Sequence, residues 1–235
     1  MSKKYILVLG SKPDSKLPNT KVEKIYTANG AAEKAKKYLD KFPNIPFTAI
    51  IGSREFEMNN EVQKRVVNSD PDLLISRSGS INFKSYKFNN KTNYEFFSTY
   101  SAIRFQSKFF RFGIIDIFLA ELKYEYKILN KFFYILKHVK NLSLSGASTG
   151  FFSILYALKK NPECNIIIAG IGMIQGGYFY DKDLQDFDTR GFTNRANVDR
   201  KLILNLKKIY KDRIYTLDKE VSARLKINFF ESETF

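Results

Sequence analysis

The sequence predicts an α/β fold in which a parallel sheet is covered by helices on both of its faces. Short apolar runs of strand length alternate with segments of helical composition, which is the pattern of a parallel α/β sheet. Several of these runs end in loops that contain glycine. The chain has 235 residues, enough to bury a full core, and shows no internal repeat or low-complexity linker. We therefore expect a single Rossmann-like domain over residues 1–235.

Strands and helices alternate along the first 80 residues of the chain. The first predicted strand ends at Gly10 and the third at Gly52, while Phe42-Pro43 ends the first helix. The predicted strands span residues 5–9, 24–27, 47–51 and 73–76, and the predicted helices span residues 31–40 and 59–68, the second of them exposed.

The middle of the chain has a different pattern. Residues 82–100 are rich in Asn, Lys, Tyr and Phe without a clear period, and we expect an irregular or antiparallel insertion there. Residues 113–138 read as one long helix, whose apolar residues spread beyond a narrow stripe. A helix with so wide an apolar surface is expected to be largely buried.

Alternation returns in the last third of the chain. The segment 176–197 is aromatic and charged without a period, and loops of such length in compact domains are often functional lids. We expect a lid loop over about residues 173–198. The predicted strands span residues 142–144, 165–169 and 214–217, and the predicted helices span residues 151–160, 199–211 and 219–226.

The composition restricts the class of protein and of partner. Apolar residues make up 44% and charged residues 27% of the chain, which excludes a disordered or collagen-like protein. The 39 Lys and Arg residues outnumber the 24 Asp and Glu residues, so the formal net charge is +15. Such an excess predicts a negatively charged partner, which is nucleic acid, an anionic membrane or a phosphate-bearing small molecule.

The single cysteine and the single histidine exclude several kinds of site. Cys164 alone cannot form an intramolecular disulfide framework or a cysteine zinc cluster, and His138 alone excludes metal sites built from several histidines. We expect no metal site. No apolar run is long enough for a signal peptide or a membrane span, so a cytoplasmic location is expected.

Three polar loops directly follow predicted strands and are candidates for an anion-binding site. Glycine permits close backbone approach to a phosphate, and N–H groups and hydroxyls at a helix N-terminus bind it. Loops after parallel strands meet at one edge of the sheet, where open α/β proteins bind ligands. The loops are Gly10-Ser11-Lys12-Pro13-Asp14-Ser15, Ala28-Asn29-Gly30 and Ser148-Thr149-Gly150.

None of the three loops matches a dinucleotide-binding fingerprint or a P-loop, so they specify neither NAD nor ATP. Each also has a plainer interpretation. Residues 10–15 suit an ordinary strand-to-helix turn, and Asn29 and Ser148-Thr149 suit helix caps.

Residues 148–172 resemble the bacterial sialyltransferases of glycosyltransferase family 42. In that family a Thr-Ser-Gly turn opens a helix, and the strand that follows ends in a Gly-Ile-Asp loop with a tyrosine-bearing lid. Here Ser148-Thr149-Gly150 opens the helix and Gly170-Ile171-Gly172 follows the strand. The loop at residues 10–15 and Asn29 are similar to the family's N-terminal signature, so the resemblance covers roughly residues 5–55 and 140–218.

The resemblance implies transfer of an acidic sugar (sialic acid, Kdo or a related nonulosonic acid) from a CMP-activated donor to a bacterial surface glycan, without a cofactor or a metal. Residues 1–80 would be a nucleotide-binding half, 82–140 an insertion with the long helix, and 141–235 a donor-site half. The residues implied at the donor are Gly10, Ser11, Lys12, Pro13, Ser15 and Asn29 facing CMP, Ser148, Thr149 and Gly150 beside the donor, Gly170 opening the lid, and Tyr180 on the leaving phosphate.

The lid departs from the family pattern at three places. Gly172 stands where the family has Asp, and Ile174 where it has a second tyrosine, although Tyr178 is close enough in sequence to replace it. Phe192 lies nearest the position of the family's general-base histidine. A phenylalanine ring cannot accept a proton, so either another group is the base, or the mechanism differs, or the protein is an inactive CMP-sugar-binding relative. Asp186 and Asp188, next to Arg190, are the candidate bases; His138, near a predicted helix end, is explained by the helix dipole.

Residues 101–140 combine eight basic residues with three acidic residues and ten aromatic ones. The plainest interpretation is a phenylalanine-rich core helix with a solvated lysine face. Basic charge with apolar rings also suits an anionic membrane surface, with contact over residues 104–112, or stacking on single-stranded nucleic acid. The alternative function is accordingly a nucleic-acid-binding protein, whereas the favoured one is a glycosyltransferase peripheral to the membrane with a lipid-linked glycan acceptor.

Overall fold

The computed structural model describes residues 3–12, 15–88, 91–122, 146–173 and 194–234. Its strands all belong to one parallel sheet. The strands described are β1 Tyr5–Leu9, β2 Lys24–Ala28, β3 Phe47–Gly52, β4 Leu73–Arg77, β5 Asn93–Phe97, β6 Asn165–Ala169, β7 Ile214–Thr216 and β8 Asn228–Phe229.

Helices connect most of these strands, as parallel pairing requires. Those within the described ranges are α1 Ala32–Lys41, α2 Ser53–Met58, α3 Asn60–Ser69, α4 Thr99–Ser107, α5 Ile114–Leu122, α6 Thr149–Lys160, α7 Asn194–Tyr210 and α8 Lys219–Leu225.

The strand order reverses between β1 and β6. The sheet runs β5-β4-β3-β2-β1-β6-β7-β8, so the chain winds outward from β1 to β5, returns beside β1, and winds outward again to β8. This is the doubly wound arrangement of Rossmann-like proteins. Ligands of such folds bind outside the carboxyl ends of the strands, at the point of reversal.

The sheet is buried on both faces, as its apolar strands predicted. In β1 the side chains of Ile6 and Val8 enter one core and those of Leu7 and Leu9 enter the other, each with no solvent exposure. Helices α4 to α8 cover the first of these faces. Helices α1 to α3 cover the second face, so the predicted α/β fold with helices on both faces is confirmed.

The segment 82–100 was expected to be irregular or antiparallel, and that expectation is wrong for its second half. Strand β5 pairs in parallel with β4 at the edge of the sheet. Edge strands lack the continuous apolar run of central ones, and Tyr94 and Phe96 of β5 are exposed. The aromatic residues before it pack on one another and on β5, with the Phe83 and Tyr94 rings stacked at 4.6 Å between centroids.

The basic, aromatic segment begins with two helices, α4 and α5, and not with one. Phe109 and Phe110 lie between them and are buried against the first face of the sheet. A membrane contact through residues 104–112 is therefore wrong for these two rings, because they belong to the core. Residues 123–145, which include His138 and most of the predicted long helix, lie outside the described part of the chain.

Helix α7 begins at Asn194, earlier than the predicted residue 199, whereas residues 174–193 of the expected lid lie outside the described ranges. Among the helices that are described, none combines the length and the apolar character that crossing a bilayer requires.

Candidate functional site

The loops after β1 and β6 touch at the point where the strand order reverses. The backbone N–H of Gly10 donates to the carbonyl of Ala169 at 2.8 Å, and that of Lys12 donates to the carbonyl of Gly170 at 2.9 Å. A Cβ on Gly10 would lie 2.2 Å from the Gly170 oxygen, a distance that no side chain tolerates. Gly170 itself has a φ of +68°, in the left-handed region that favours glycine.

The loop after β1 is held in place by contacts with β2 and α1. The buried Ser11 hydroxyl donates to the Ala28 carbonyl at the end of β2, at 3.3 Å. The Lys34 ammonium group of α1 donates to the Lys12 carbonyl at 2.6 Å and also to the Ser15 hydroxyl. These contacts fix the described residues of the loop, 10–12 and 15, over the sheet edge.

An ion pair joins the loop after β1 to the loop after β7. Lys12 Nζ lies 2.6 Å from Asp218 Oδ2, and the two side chains are only 11% and 17% exposed. The other Asp218 oxygen accepts from the N–H groups of Glu220 and Val221 and so caps α8. Asp218 thus orients the Lys12 ammonium group at the sheet edge.

A pocket of about 770 Å³ opens beside these two loops, between β6 and the C-terminal segment. Gly170 and Ser15 line it. Its charged lining residues are the cations Lys12, Lys16 and Lys219 and the anions Asp218 and Glu231. Asp218 is paired with Lys12. The remaining charged residues of the lining are the two cations Lys16 and Lys219 and the one anion Glu231, an excess of positive charge that favours an anionic ligand.

Asn29 joins the end of β2 to the end of β3. It is buried, has a φ of +50°, and begins a 3-10 turn over Asn29–Ala31. Its side-chain oxygen accepts from the Gly52 N–H at 2.9 Å, and its amide nitrogen donates to Glu55 at 2.5 Å. The interpretation of Asn29 as a helix cap is wrong, since Ala31 precedes α1 without a side-chain cap and the Asn29 amide bonds Gly52 and Glu55 instead.

The N-terminus of α6 faces the same edge of the sheet. The Ser148 hydroxyl caps the helix by accepting from the Phe151 N–H at 3.1 Å, while the Ser148 N–H donates to buried Asp199 at 2.9 Å. Thr149 Oγ1 lies 3.3 Å from the point that a Cβ on Gly52 would occupy. Within the described part of the chain, this hydroxyl makes no hydrogen bond.

Gly150, the second residue of α6, meets the loop after β6. A Cβ on Gly150 would lie 3.1 Å from Ile171 Cγ2, so the first turn of α6 abuts the loop that Gly170 opens. Free N–H groups of a helix N-terminus attract anions. The helix therefore presents its positive end next to the point of strand-order reversal.

The structure places nine of the residues expected at the donor along the carboxyl edge of the sheet. The remaining ones lie outside the described ranges, so their positions stay predictions. Those at the edge are Gly10, Ser11, Lys12, Ser15, Asn29, Ser148, Thr149, Gly150 and Gly170; those outside are Pro13, Tyr178, Tyr180, Asp186 and Asp188.

Sequence reasoning missed further polar residues at this edge. Arg77 ends β4, is 4% exposed, and its guanidinium carbon lies 5.7 Å from the Phe152 ring centre. The sequence indicates this residue, because Arg77 is the one charged residue of an otherwise uncharged strand and stands at its carboxyl end. Asp199 and Gln106, which hold the backbone of residues 147–148, gave no such signal, because each lies inside a helix far away in sequence.

The arrangement can bind a polyanion through backbone N–H groups, hydroxyls and lysine ammonium groups. Covalent chemistry through the only cysteine is not favoured at this site. Cys164 lies before β6, at the opposite edge of the sheet, and burial raises the pKa of its thiol.

Comparison of the chain with models of protein families, with curated proteins and with solved structures found no match. The fold and the site geometry therefore define the class of protein: a Rossmann-like α/β protein with a polar, cationic edge at the reversal of its strand order.

Proposed function

We propose that the protein is a glycosyltransferase that moves an acidic sugar from a CMP-activated donor to a glycan acceptor. One observation carries the proposal: the loops after β1, β2 and β6 and the N-terminus of α6 come together where the strand order reverses. This is where Rossmann-like proteins bind nucleotides. The choice of CMP and of an acidic sugar rests on the resemblance to family 42 sialyltransferases.

The donor phosphate would lie at the N-terminus of α6. There the Thr149 hydroxyl and the N–H groups of Thr149 and Gly150, which make no hydrogen bond within the described residues, would donate to it, whereas the Phe151 N–H is taken by Ser148. Such preorganised donors stabilise the charge that develops on a departing phosphate. Lys12, held by Asp218, would add a cation on the other side of the same loops.

The proposal assigns the remaining chemistry to the lid. Tyr180, with Tyr178 beside it, would donate a hydrogen bond to the leaving CMP phosphate. Asp186 or Asp188 would accept the proton of the acceptor hydroxyl as that oxygen attacks the anomeric carbon. The products are the extended glycan and CMP.

Replacement of Thr149 by valine tests the donor site. The change removes one hydroxyl and keeps the shape of the side chain, so we expect CMP affinity to fall about tenfold, the loss of one hydrogen bond to a charged group. Isothermal titration calorimetry with CMP measures it. The matched control is Thr99→Val, because Thr99 is also the first residue of a helix after a capping serine but is exposed on α4.

The control should bind CMP like the wild type. A lack of CMP binding by the wild type at millimolar ligand would refute the proposed donor site. An equal loss in T149V and T99V would show that the Thr149 hydroxyl does not touch the nucleotide.

Turnover is tested with CMP-activated sialic acid and Kdo, by following the release of CMP. We expect release in the wild type and a loss of about a hundredfold or more in D186N or D188N, since general-base catalysis contributes about that much. CMP binding without release, even with glycan acceptors present, would contradict the enzyme and indicate an inactive CMP-sugar-binding relative.

A further inference from the structure

Helix α5 is apolar on both of its sides. Ile117 and Ala120 point into the core on the first face of the sheet and have no solvent exposure. On the opposite side Ile115 is 55% exposed and Leu119 is 51% exposed. A surface helix of a soluble protein normally carries polar residues on its outer side.

The exposed apolar residues cluster at the start of α5. Ile115 and Leu119 are four residues apart within the helix, the spacing of neighbours on one side, and the Ile115 N–H donates to the Phe112 carbonyl at 3.1 Å. Phe112, just before the helix, is 59% exposed, and Ile114 at its start is 45% exposed. We call Phe112, Ile114, Ile115 and Leu119 the α5 patch. Contiguous apolar patches on a protein surface mark interaction sites.

Three exposed cations accompany the patch. Arg104 and Lys108 lie four residues apart on α4 and at its end, and Arg111 lies directly before the patch, its guanidinium carbon 5.3 Å from the Phe112 ring centre. Asp116 of α5 accepts from the Phe112 N–H at 2.9 Å and holds the start of the helix. Arg111 therefore puts a cation directly at the patch, and Arg104 and Lys108 add exposed positive charge on the preceding helix.

We propose that the α5 patch docks on an anionic lipid bilayer, with α5 lying in the plane of the membrane interface. Aliphatic side chains and one phenylalanine would enter the boundary between head groups and acyl chains, and the three cations would contact lipid phosphates. This proposed surface differs from the contact expected over residues 104–112, because Phe109 and Phe110 are buried in the core whereas the α5 patch is exposed.

Two other occupants fit the patch less well. In a symmetric dimer the same surface meets itself, so the cations near the patch of one copy would come close to those of the other copy. Charged residues are depleted from the centre of such interfaces. Single-stranded nucleic acid needs aromatic platforms for its bases, and three of the four patch residues are aliphatic.

The chain contains no tryptophan, so a single introduced tryptophan reports on the patch alone. We expect the fluorescence of Phe112→Trp to shift to the blue on addition of vesicles of phosphatidylcholine with roughly 30% phosphatidylglycerol, a share of anionic lipid that gives the bilayer a negative surface potential. The control is Phe96→Trp on edge strand β5, since Phe96 is similarly exposed, at 52%. The control spectrum should not move.

Co-sedimentation with the same vesicles tests the two parts of the patch separately. The double variant Ile115→Gln/Leu119→Gln and the triple variant Arg104→Gln/Lys108→Gln/Arg111→Gln should each partition about tenfold less than the wild type. Their controls are Met58→Gln, an exposed apolar residue on α2, and Lys37→Gln/Lys64→Gln/Lys84→Gln, which removes equal charge elsewhere. Circular dichroism of each variant confirms folding before use.

The proposal is overturned if the wild type does not sediment with anionic vesicles at low salt. It is also overturned if the patch variants and their controls lose the same amount, or if the I115Q/L119Q variant only dissociates a dimer in light scattering. Salt-sensitive binding of a labelled oligonucleotide that is lost with the triple variant, without vesicle binding, would assign the patch to nucleic acid. CMP titration is independent of all these outcomes, so failure of vesicle binding leaves the proposed enzyme untouched.

Discussion

Gly10 and Gly170 determine how closely the two halves of the chain approach at the candidate site. Each would meet backbone or loop atoms at less than 3.0 Å if it carried a Cβ. A flexible neighbour could move away from an added methyl group, but the neighbour of Gly10 is the carbonyl of Gly170, which is part of the sheet edge. Residue 10 must therefore be glycine because of Gly170, which lies 160 residues later in the sequence.

We expect Gly10→Ala to reduce the free energy of unfolding by roughly 1–3 kcal/mol, the usual cost of an added methylene group in a packed site. Urea denaturation followed by circular dichroism measures the change. Gly150→Ala is the comparison, because its Cβ would meet the side chain of Ile171 at 3.1 Å and not backbone. If G150A costs more than G10A, the close approach of Gly10 to Gly170 does not limit the packing of this edge.

Asn29 lies at the predicted site, but its side chain has a structural role that the sequence did not predict. The sequence offered two alternatives, a ligand contact or a helix cap, and the structure shows a third role. Its amide connects the Gly52 N–H with the Glu55 carboxylate and so joins the ends of β2 and β3. An Asn29→Ala variant would disturb these loops as well as any ligand, which makes Thr149 the better residue for a binding test.

Helix α6 is the element that connects the core to the site. Nine of its twelve residues are buried, from Thr149 to Leu158, so its ends must satisfy their backbone groups with side chains. Ser148 caps the N-terminus, and the Asn161 side-chain amide donates to the Ala157 carbonyl of the last turn at 2.8 Å. Side-chain bonds at both ends hold α6 with its N-terminus at the reversal of strand order.

Removal of the N-cap by Ser148→Ala should lower the free energy of unfolding by about 1 kcal/mol. Ser98→Ala is the matched control, because Ser98 caps α4 through the Ser101 N–H at 3.1 Å but is exposed to solvent. Water can replace the cap of α4 more easily than that of the part-buried α6. Thermal and urea unfolding compare the two; a larger cost for S98A than for S148A would contradict this explanation.

The whole molecule carries a net charge of +15, and the described site accounts for only a few of these charges. Net charge of one sign destabilises a compact state through self-repulsion, and salt screens that repulsion. Part of the excess belongs to the ends of helices, such as Lys159 and Lys160 at the end of α6, where cations complement the helix dipole.

We therefore expect the melting temperature to rise when sodium chloride increases from about 20 to about 300 mM, a range over which the Debye length shortens several-fold. Differential scanning fluorimetry measures the shift. A variant with Lys37, Lys64 and Lys84 changed to Gln should show a smaller rise, since it has less repulsion to screen. A melting temperature that falls with added salt would mean that ion pairs outweigh the net repulsion.

Local patterns were sufficient for most elements of the fold. Strands β1 and β6 were predicted with the bounds that the structure gives, because strands buried on both faces appear as uninterrupted apolar runs. The edge strand β5 was missed, since one exposed side and a cluster of neighbouring aromatic residues remove that signal. Helix α6 was found through its capping serine and the Asn161-Pro162 pair that ends it.

The partners of these elements did not follow from local patterns. The structure pairs β1 with β6, which lies far away in the sequence. Backbone hydrogen bonds are the same for any pair of apolar strands, so the pattern of a single strand does not specify its partner. The pairing of β1 with β6 brings Gly10 against Gly170 and directs Thr149 toward Gly52. Whether a leucine faces core or solvent is likewise set by the neighbouring elements. For this reason the sequence pattern does not distinguish Leu119 of α5, which is exposed, from Ile117 of the same helix, which is buried in the core.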